Sequence, residues 1–196
     1  MTALVLASSS PRRRALLEQI GFPPARIESP DIDETPLRGE APRDYARRLA
    51  AAKALAVHRD PGEVIIAGDT TVATGRYIFP PADGASDVRR FLERLSGRRQ
   101  RVLGAVAVID RDGRIRQRLS VSIVAFKRLT SAEIDDYVQS GEGEGKAGGY
   151  AIQGRAAGFV KFLSGSYSGV VGLPLFEARA LLIAAGVAPR PAEGNA

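Results

Sequence analysis

Asp69 lies in Gly68-Asp69-Thr70, just beyond the wholly apolar run Val64 to Ala67. Open sheets place ligand-binding groups at strand ends, and an acid there can hold a divalent cation or orient a water. The competing role is an Asx-turn; the apolar strand before Asp69 favours function. A second string, Ser8-Ser9-Ser10-Pro11-Arg12-Arg13-Arg14, joins a buried strand to a helix start. Free backbone N–H groups and the helix dipole favour an anion there, and guanidinium groups can clamp phosphate oxygens bidentately. Successive helical side chains spread around the axis, so about two of the three arginines can face one site. A capped helix with solvated arginines explains this string equally well.

Other candidates are weaker when taken alone. The acids Asp31, Asp33 and Glu34 before Pro36 read as a solvated turn. Lys53 interrupts an apolar helix face from which it can snorkel to water. The run Gly141 to Gly149, which contains Lys146, superficially resembles a P-loop, but Ser140 replaces its first glycine and Ala147 the required Ser/Thr. A mobile glycine-rich loop is the expectation. Thr70 and Gln153 have the groups to read a base edge, although an isolated Thr or Gln usually does not. The arginines from Arg89 to Arg101 have few aromatics among them, which disfavours nucleic acid.

Composition removes whole classes of chemistry. There is no cysteine, so thiolate catalysis, disulfides and zinc-thiolate sites are excluded, and a single histidine, His58, argues against a Ser-His-Asp hydrolase. Any metal should be a hard cation held by carboxylate and phosphate oxygens. The net charge of +6 favours an anionic partner without naming it. The first residues lack a signal-peptide pattern and no apolar run is long enough to span a bilayer. A cytoplasmic protein with no membrane partner is expected.

The elements that must position these groups alternate in type. Leu4 to Ala7 reads as a buried strand, Arg12 to Ile20 as a helix stopped by Gly21, and Pro42 to about His58 as a second helix. Glu63 to Ala67 and Thr71 to Thr74 read as strands flanking Gly68-Asp69-Thr70. Asp87 to Leu95 is an amphipathic helix. Arg101 to Ile109 and Arg114 to Phe126 form a hairpin across Asp110-Arg111-Asp112-Gly113. Thr130 and Glu133 make a capping box, Phe159 to Leu163 a strand, and Pro174 to about Ala185 the last helix. This order implies an α/β fold with α+β character and a mixed sheet: one domain over residues 1–188 and a tail over 189–196.

Taken together, the strings resemble the Maf family. Leu6-Ala7-Ser8-Ser9-Ser10-Pro11-Arg12-Arg13 is similar to its opening signature, and Pro42 to Lys53 to its second motif. Gly68-Asp69-Thr70 is similar to the third, with Ala67-Gly68 reversing the usual order. Leu95-Ser96-Gly97, Gly145 to Gly154, and Gly165-Ser166-Tyr167 with Val171-Gly172-Leu173-Pro174 follow in sequence. The resemblance spans Leu4 to Leu182. It implies a Maf/inosine-triphosphatase-like fold, a mixed twisted sheet flanked by helices with a central cleft. The implied activity is hydrolysis of a nucleoside triphosphate to monophosphate and pyrophosphate with Mg²⁺, Mn²⁺ or Co²⁺.

By the same resemblance, Asp69 is the general base and Glu34 a second carboxylate, the two together holding the metal, with Lys53 as a catalytic lysine. Ser8, Arg12, Arg13 and Lys146 bind substrate phosphates, and Arg12, Thr70 and Gln153 set specificity. Tyr150-Ala151-Ile152-Gln153-Gly154 resembles the dTTP/UTP branch; a homodimer is compatible with the family. Two alternatives stay open: a pyrophosphatase preferring modified pyrimidine or 7-methyl-guanosine triphosphates, and a non-catalytic nucleotide- or nucleic-acid-binding regulator of division. One departure bears on the second. Family members usually carry a lysine where this chain has Phe79-Pro80-Pro81-Ala82, leaving Arg76 as the nearby cation able to replace it.

Overall fold

The computed structural model describes residues 2–190. Strands β1 (Leu4–Ala7), β2 (Arg26–Glu28), β3 (Val64–Thr74), β4 (Tyr77–Phe79), β5 (Arg99–Ile109), β6 (Ile115–Phe126) and β7 (Val160–Ser164) form one sheet. Its order is β2-β1-β3-β5-β6-β7, with β4 paired to β3. β1 runs parallel to β2 and β3, while β3 to β5, β5 to β6 and β6 to β7 are antiparallel. The sheet is therefore mixed, as the alternation of helices around a central hairpin requires. That hairpin turns at Gly113 (φ 80°), whose N–H donates to the Asp110 carbonyl at 3.0 Å.

Helices α1 (Pro11–Gln19), α2 (Pro42–Ala56), α3 (Ala85–Leu95), α4 (Ser131–Gln139), α5 (Tyr167–Val171) and α6 (Leu175–Ala184) cover the sheet. On one face α2 meets the sheet through an alanine layer: Ala46, Ala50 and Ala54 against Ala67, Ala73, Ala105 and Ala107. Small side chains let the helix lie close to the strands. The other face is filled by larger groups, including Leu17, Phe79, Phe91, Leu92, Phe126, Tyr137 and Leu182. Edge-to-face pairs such as Phe79–Phe91, with centroids 5.4 Å apart, order this thicker layer. The capping box on α4 forms as expected: the Glu133 N–H donates to Thr130 Oγ1 at 3.3 Å and the Thr130 N–H to Glu133 Oε2 at 2.9 Å.

Three expectations need correction. Asp69 is not beyond a strand end but in the middle of β3, because β5 pairs with β3 from Ile65 to Ala73 and keeps Gly68-Asp69-Thr70 extended. The glycine-rich segment is tied down: the Gly145 N–H donates to the Ala82 carbonyl at 2.8 Å and the Ala82 N–H to the Lys146 carbonyl at 3.1 Å. Of the tail, the Arg190 N–H donates to the Gly21 carbonyl at 2.6 Å, so the chain is still attached there; residues 191–196 lie outside the described residues. No helix among the described residues is long and apolar enough to cross a membrane.

Candidate active site

Period-2 alternation along β3 puts Asp69 and Thr71 toward the α2 side and Thr70 and Val72 toward the other. Close approach of α2 then brings Lys53 down onto Asp69. Lys53 is buried, and its Nζ lies 2.9 Å from Asp69 Oδ1 and 2.9 Å from Glu34 Oε1. The lysine does not snorkel to water: buried Asp69 and the more exposed Glu34 meet it, which is what makes its burial tolerable. Thr71 Oγ1 donates to Asp69 Oδ2 at 2.7 Å, so both oxygens of this buried acid are held.

Glu34 comes from the irregular segment between β2 and α2, and α2 itself anchors that segment. The Tyr45 hydroxyl donates to the Glu34 carbonyl at 2.9 Å, and Arg48 Nη2 to the Thr35 carbonyl at 3.1 Å. Arg48 also grips Glu40 through Nε at 2.7 Å and Nη2 at 2.9 Å. Burial, then the nearby Asp69 and Glu34 charges, push the Tyr45 phenol well above its ordinary pKa, so it stays protonated as a donor.

The three arginines diverge as helix geometry demands. Arg14 pairs with Glu18 at 2.7 Å on the exposed side. Arg13 turns inward: Nε donates to the Gly172 carbonyl at 2.9 Å, Nη1 to Ser8 Oγ at 3.0 Å and Nη2 to Thr70 Oγ1 at 3.4 Å. Thr70 Oγ1 in turn donates to the Gly172 carbonyl at 3.3 Å. Desolvation lowers the Arg13 pKa despite the opposing pull of Asp69 and Glu34. Arg12 makes no salt bridge or side-chain hydrogen bond among the described residues. Desolvation lowers its pKa first, and repulsion from Arg13 next. Lys146 Nζ donates to the Glu144 carbonyl at 3.0 Å, and burial followed by the Arg12 charge lowers its pKa.

These groups share one cleft of ≈ 280 Å³. Its polar wall carries Arg12, Arg13, Glu34, Lys53, Asp69, Thr70 and Lys146; Val72, Val102, Tyr150 and Val171 give it an apolar part. Two of the expected site residues lie elsewhere. Ser8 is buried beneath the cleft with its Oγ on Arg13, and Gln153, three residues beyond Tyr150, is exposed and outside the lining. Arg76 does not substitute for the missing lysine: its Nη2 donates to the Gly39 carbonyl at 2.9 Å, outside the cleft. Sequence reasoning missed Thr71, the tether from Tyr45 and the Gly172 carbonyl. Thr71 was within reach, since it stands two residues from Asp69 on a strand. The Gly172 contact spans more than a hundred positions and left no local signal.

A helix N-terminus, two cations without acidic partners among the described residues and a lysine-bridged pair of acids thus share one cleft of an α/β protein. Within that class the chain belongs to the Maf family: residues 3–185 match the Maf-like protein family. It is 64% identical to a dTTP/UTP pyrophosphatase of Sphingopyxis alaskensis, over 95% of this chain and 98% of that protein. It is 58% identical to a dTTP/UTP pyrophosphatase of Rhodospirillum rubrum, over 95% of this chain and 89% of that one. Among solved structures, a HAM1 protein from Coxiella burnetii aligns with a TM-score of 0.49 at 17% identity, covering 94% of this chain and all of that one.

Proposed function

We propose that the protein is a nucleoside triphosphate pyrophosphatase that converts dTTP and UTP to the monophosphate and pyrophosphate. The observation that carries this reading is the cleft itself, where Lys53 bridges Asp69 and Glu34 while Arg12 and Lys146 lack acidic partners among the described residues. The high-identity relatives named as dTTP/UTP pyrophosphatases support the substrate.

In this reading Arg12, Lys146 and the free N–H groups at the start of α1 take the negative charge of the phosphate chain. Asp69, held at both oxygens, accepts a proton from the water whose oxygen attacks the α-phosphorus. The bond to the β-phosphate breaks, and pyrophosphate leaves against the cationic wall. Lys53 keeps the two carboxylates together and offsets their repulsion. Apolar residues of the cleft shield the reacting centre from bulk water.

The donor set fits a hard divalent cation shared with substrate. No cluster of three metal-ligating side chains is present among the described residues, but Mg²⁺ commonly uses one or two carboxylates with substrate phosphates. Glu34 and Asp69 would hold Mg²⁺, Mn²⁺ or Co²⁺, which would neutralise charge on the phosphates. In this reading Thr70, on the cleft wall with its hydroxyl engaged by Arg13 and the Gly172 carbonyl, contributes to specificity. Gln153 serves this function only through a part of the substrate that extends beyond the enclosed volume.

The test is product analysis with a panel of nucleotides and divalent cations. Monophosphate with pyrophosphate from dTTP or UTP is expected. Orthophosphate with a nucleoside diphosphate, or inactivity across the panel, overturns the reading; preferential cleavage of 7-methyl-GTP overturns only its pyrimidine part.

A further inference from the structure

Ser8 is buried, is absent from the cleft lining, and accepts two hydrogen bonds: from Arg13 Nη1 at 3.0 Å and from the Ser10 N–H at 3.2 Å. A hydroxyl so placed does not touch a substrate in the cleft. Arg13 has five N–H donors in a rigid fork, and three are engaged on Ser8, Thr70 and the Gly172 carbonyl. Those partners come from the turn before α1, from β3 and from the turn after α5, so one guanidinium joins three separate walls of the cleft. Arg12, its neighbour in sequence, makes no such bonds and is free to meet a ligand.

We propose that Ser8 is a positioning residue that acts on turnover only through Arg13, which braces the cleft walls while Arg12 supplies the phosphate grip. The proposal rests on the pyrophosphatase reading and deepens it. A brace and a grip are separable by what they change. Losing the grip weakens affinity for the phosphate chain. Losing the brace leaves Arg12 and Lys146 able to hold the chain but lets Thr70, and Asp69 beside it, lose alignment with the α-phosphorus.

Room for the brace is built into the strand. A Cβ on Gly68 would crowd Leu173 Cδ1 at 3.1 Å and reach contact distance of Arg13 Nε at 3.4 Å, so the guanidinium lies close along bare backbone there. A Cβ on Gly172 would similarly stand 3.6 Å from Arg13 Cγ. Arg13 thus packs against two bare stretches of backbone at the edge of the cleft it lines, with its fork engaged on protein groups.

The experiment compares Ser8→Ala, Arg13→Gln and Arg12→Ala, with the doubles Ser8→Ala/Arg13→Gln and Ser8→Ala/Arg12→Ala. Steady-state kinetics with dTTP are read beside calorimetric binding of inorganic tripolyphosphate. Ser8→Ala should lower kcat roughly tenfold, the scale of one charge-assisted hydrogen bond, and leave tripolyphosphate affinity within about threefold. In the Arg13→Gln background it should have no further effect, whereas with Arg12→Ala its effect should multiply. Arg12→Ala alone should weaken tripolyphosphate binding.

Full multiplication with Arg13→Gln, or a loss of tripolyphosphate affinity in Ser8→Ala matching that in Arg12→Ala, overturns the proposal. If Arg13→Gln does not fold, Arg13→Lys, which keeps the charge but loses the planar fork, takes its place in the cycle with the same criteria. Inactivity of the wild-type protein would instead defeat the underlying function; thermal unfolding of the same variants would then decide the coupling, with additive losses for Ser8→Ala and Arg13→Gln overturning it.

Discussion

Where Lys53 meets Asp69 and Glu34, one buried ammonium lies 2.9 Å from each of two carboxylates, so charges of opposite sign are already in contact. Around Arg12 and Lys146 in the same cleft both pKa values are lowered, by burial first and by a neighbouring cation next. The first cluster is tied together by contacts within the protein and keeps a net negative charge; the second has no acidic partner among the described residues until an anion arrives. Pre-paired groups hold reacting atoms in place, whereas unpaired groups of one sign gain most from binding. Perturbing the first should therefore act on stability and turnover, and perturbing the second on affinity.

The largest effect should come from Asp69→Asn, which keeps size but removes the charge that accepts a proton. We expect kcat to fall by at least about 10²-fold with circular dichroism unchanged. A folded variant with near-normal turnover would move the base to Glu34 and erase the distinction between the clusters. Lys53→Met should follow, because it leaves a buried carboxylate without its partner. Urea unfolding should show a loss of about 3 kcal/mol, the low end for breaking a buried pair given that Glu34 is partly exposed. Unchanged stability would mean that the pair is solvated in solution.

The second cluster should respond to pH. Below its depressed pKa, Lys146 is charged and grips phosphate; above it the charge and the grip are lost. The alkaline limb of kcat/KM should therefore lie below the ordinary lysine range near about 10.4. Lys146→Arg should move that limb to higher pH, while a limb unmoved by this change assigns it to another group. The smallest effect is expected from Gln153→Ala. Stability should be unchanged and the preference for dTTP or UTP over purine triphosphates reduced, since a hydrogen-bonding site rejects bases that leave it unpaired. An unaltered substrate ranking would make Gln153 a surface residue.

How much of this was legible follows from the range of each signal. The starts of α2 and α6 and the hairpin at Asp110–Gly113 were legible because proline, glycine and alternation act locally. β2, β4 and α5, with three, three and five residues, carry too little pattern to stand out. β3 read as two strands because Gly-Asp-Thr has turn chemistry, and only its pairing with β5 overrides that. Most of the candidate site became visible through resemblance rather than spacing. Residue types alone could not show that Lys53 points inward, that Ser8 faces Arg13 or that Gln153 lies outside the cleft.

The alanine layer beneath α2 has a consequence for how this protein can change. Lys53 reaches its two carboxylates because Ala46, Ala50 and Ala54 let the helix settle on Ala67, Ala73, Ala105 and Ala107. Clearance between helix and sheet is thus also the clearance between lysine and acid. Interior positions of this kind usually drift among aliphatic residues of similar size. Here a wider side chain at Ala50 would act as a wedge, lifting the helix and drawing the ammonium away from Asp69. Redesign that ranks substitutions at these alanines by folding stability alone would pass over their effect on chemistry several ångströms away.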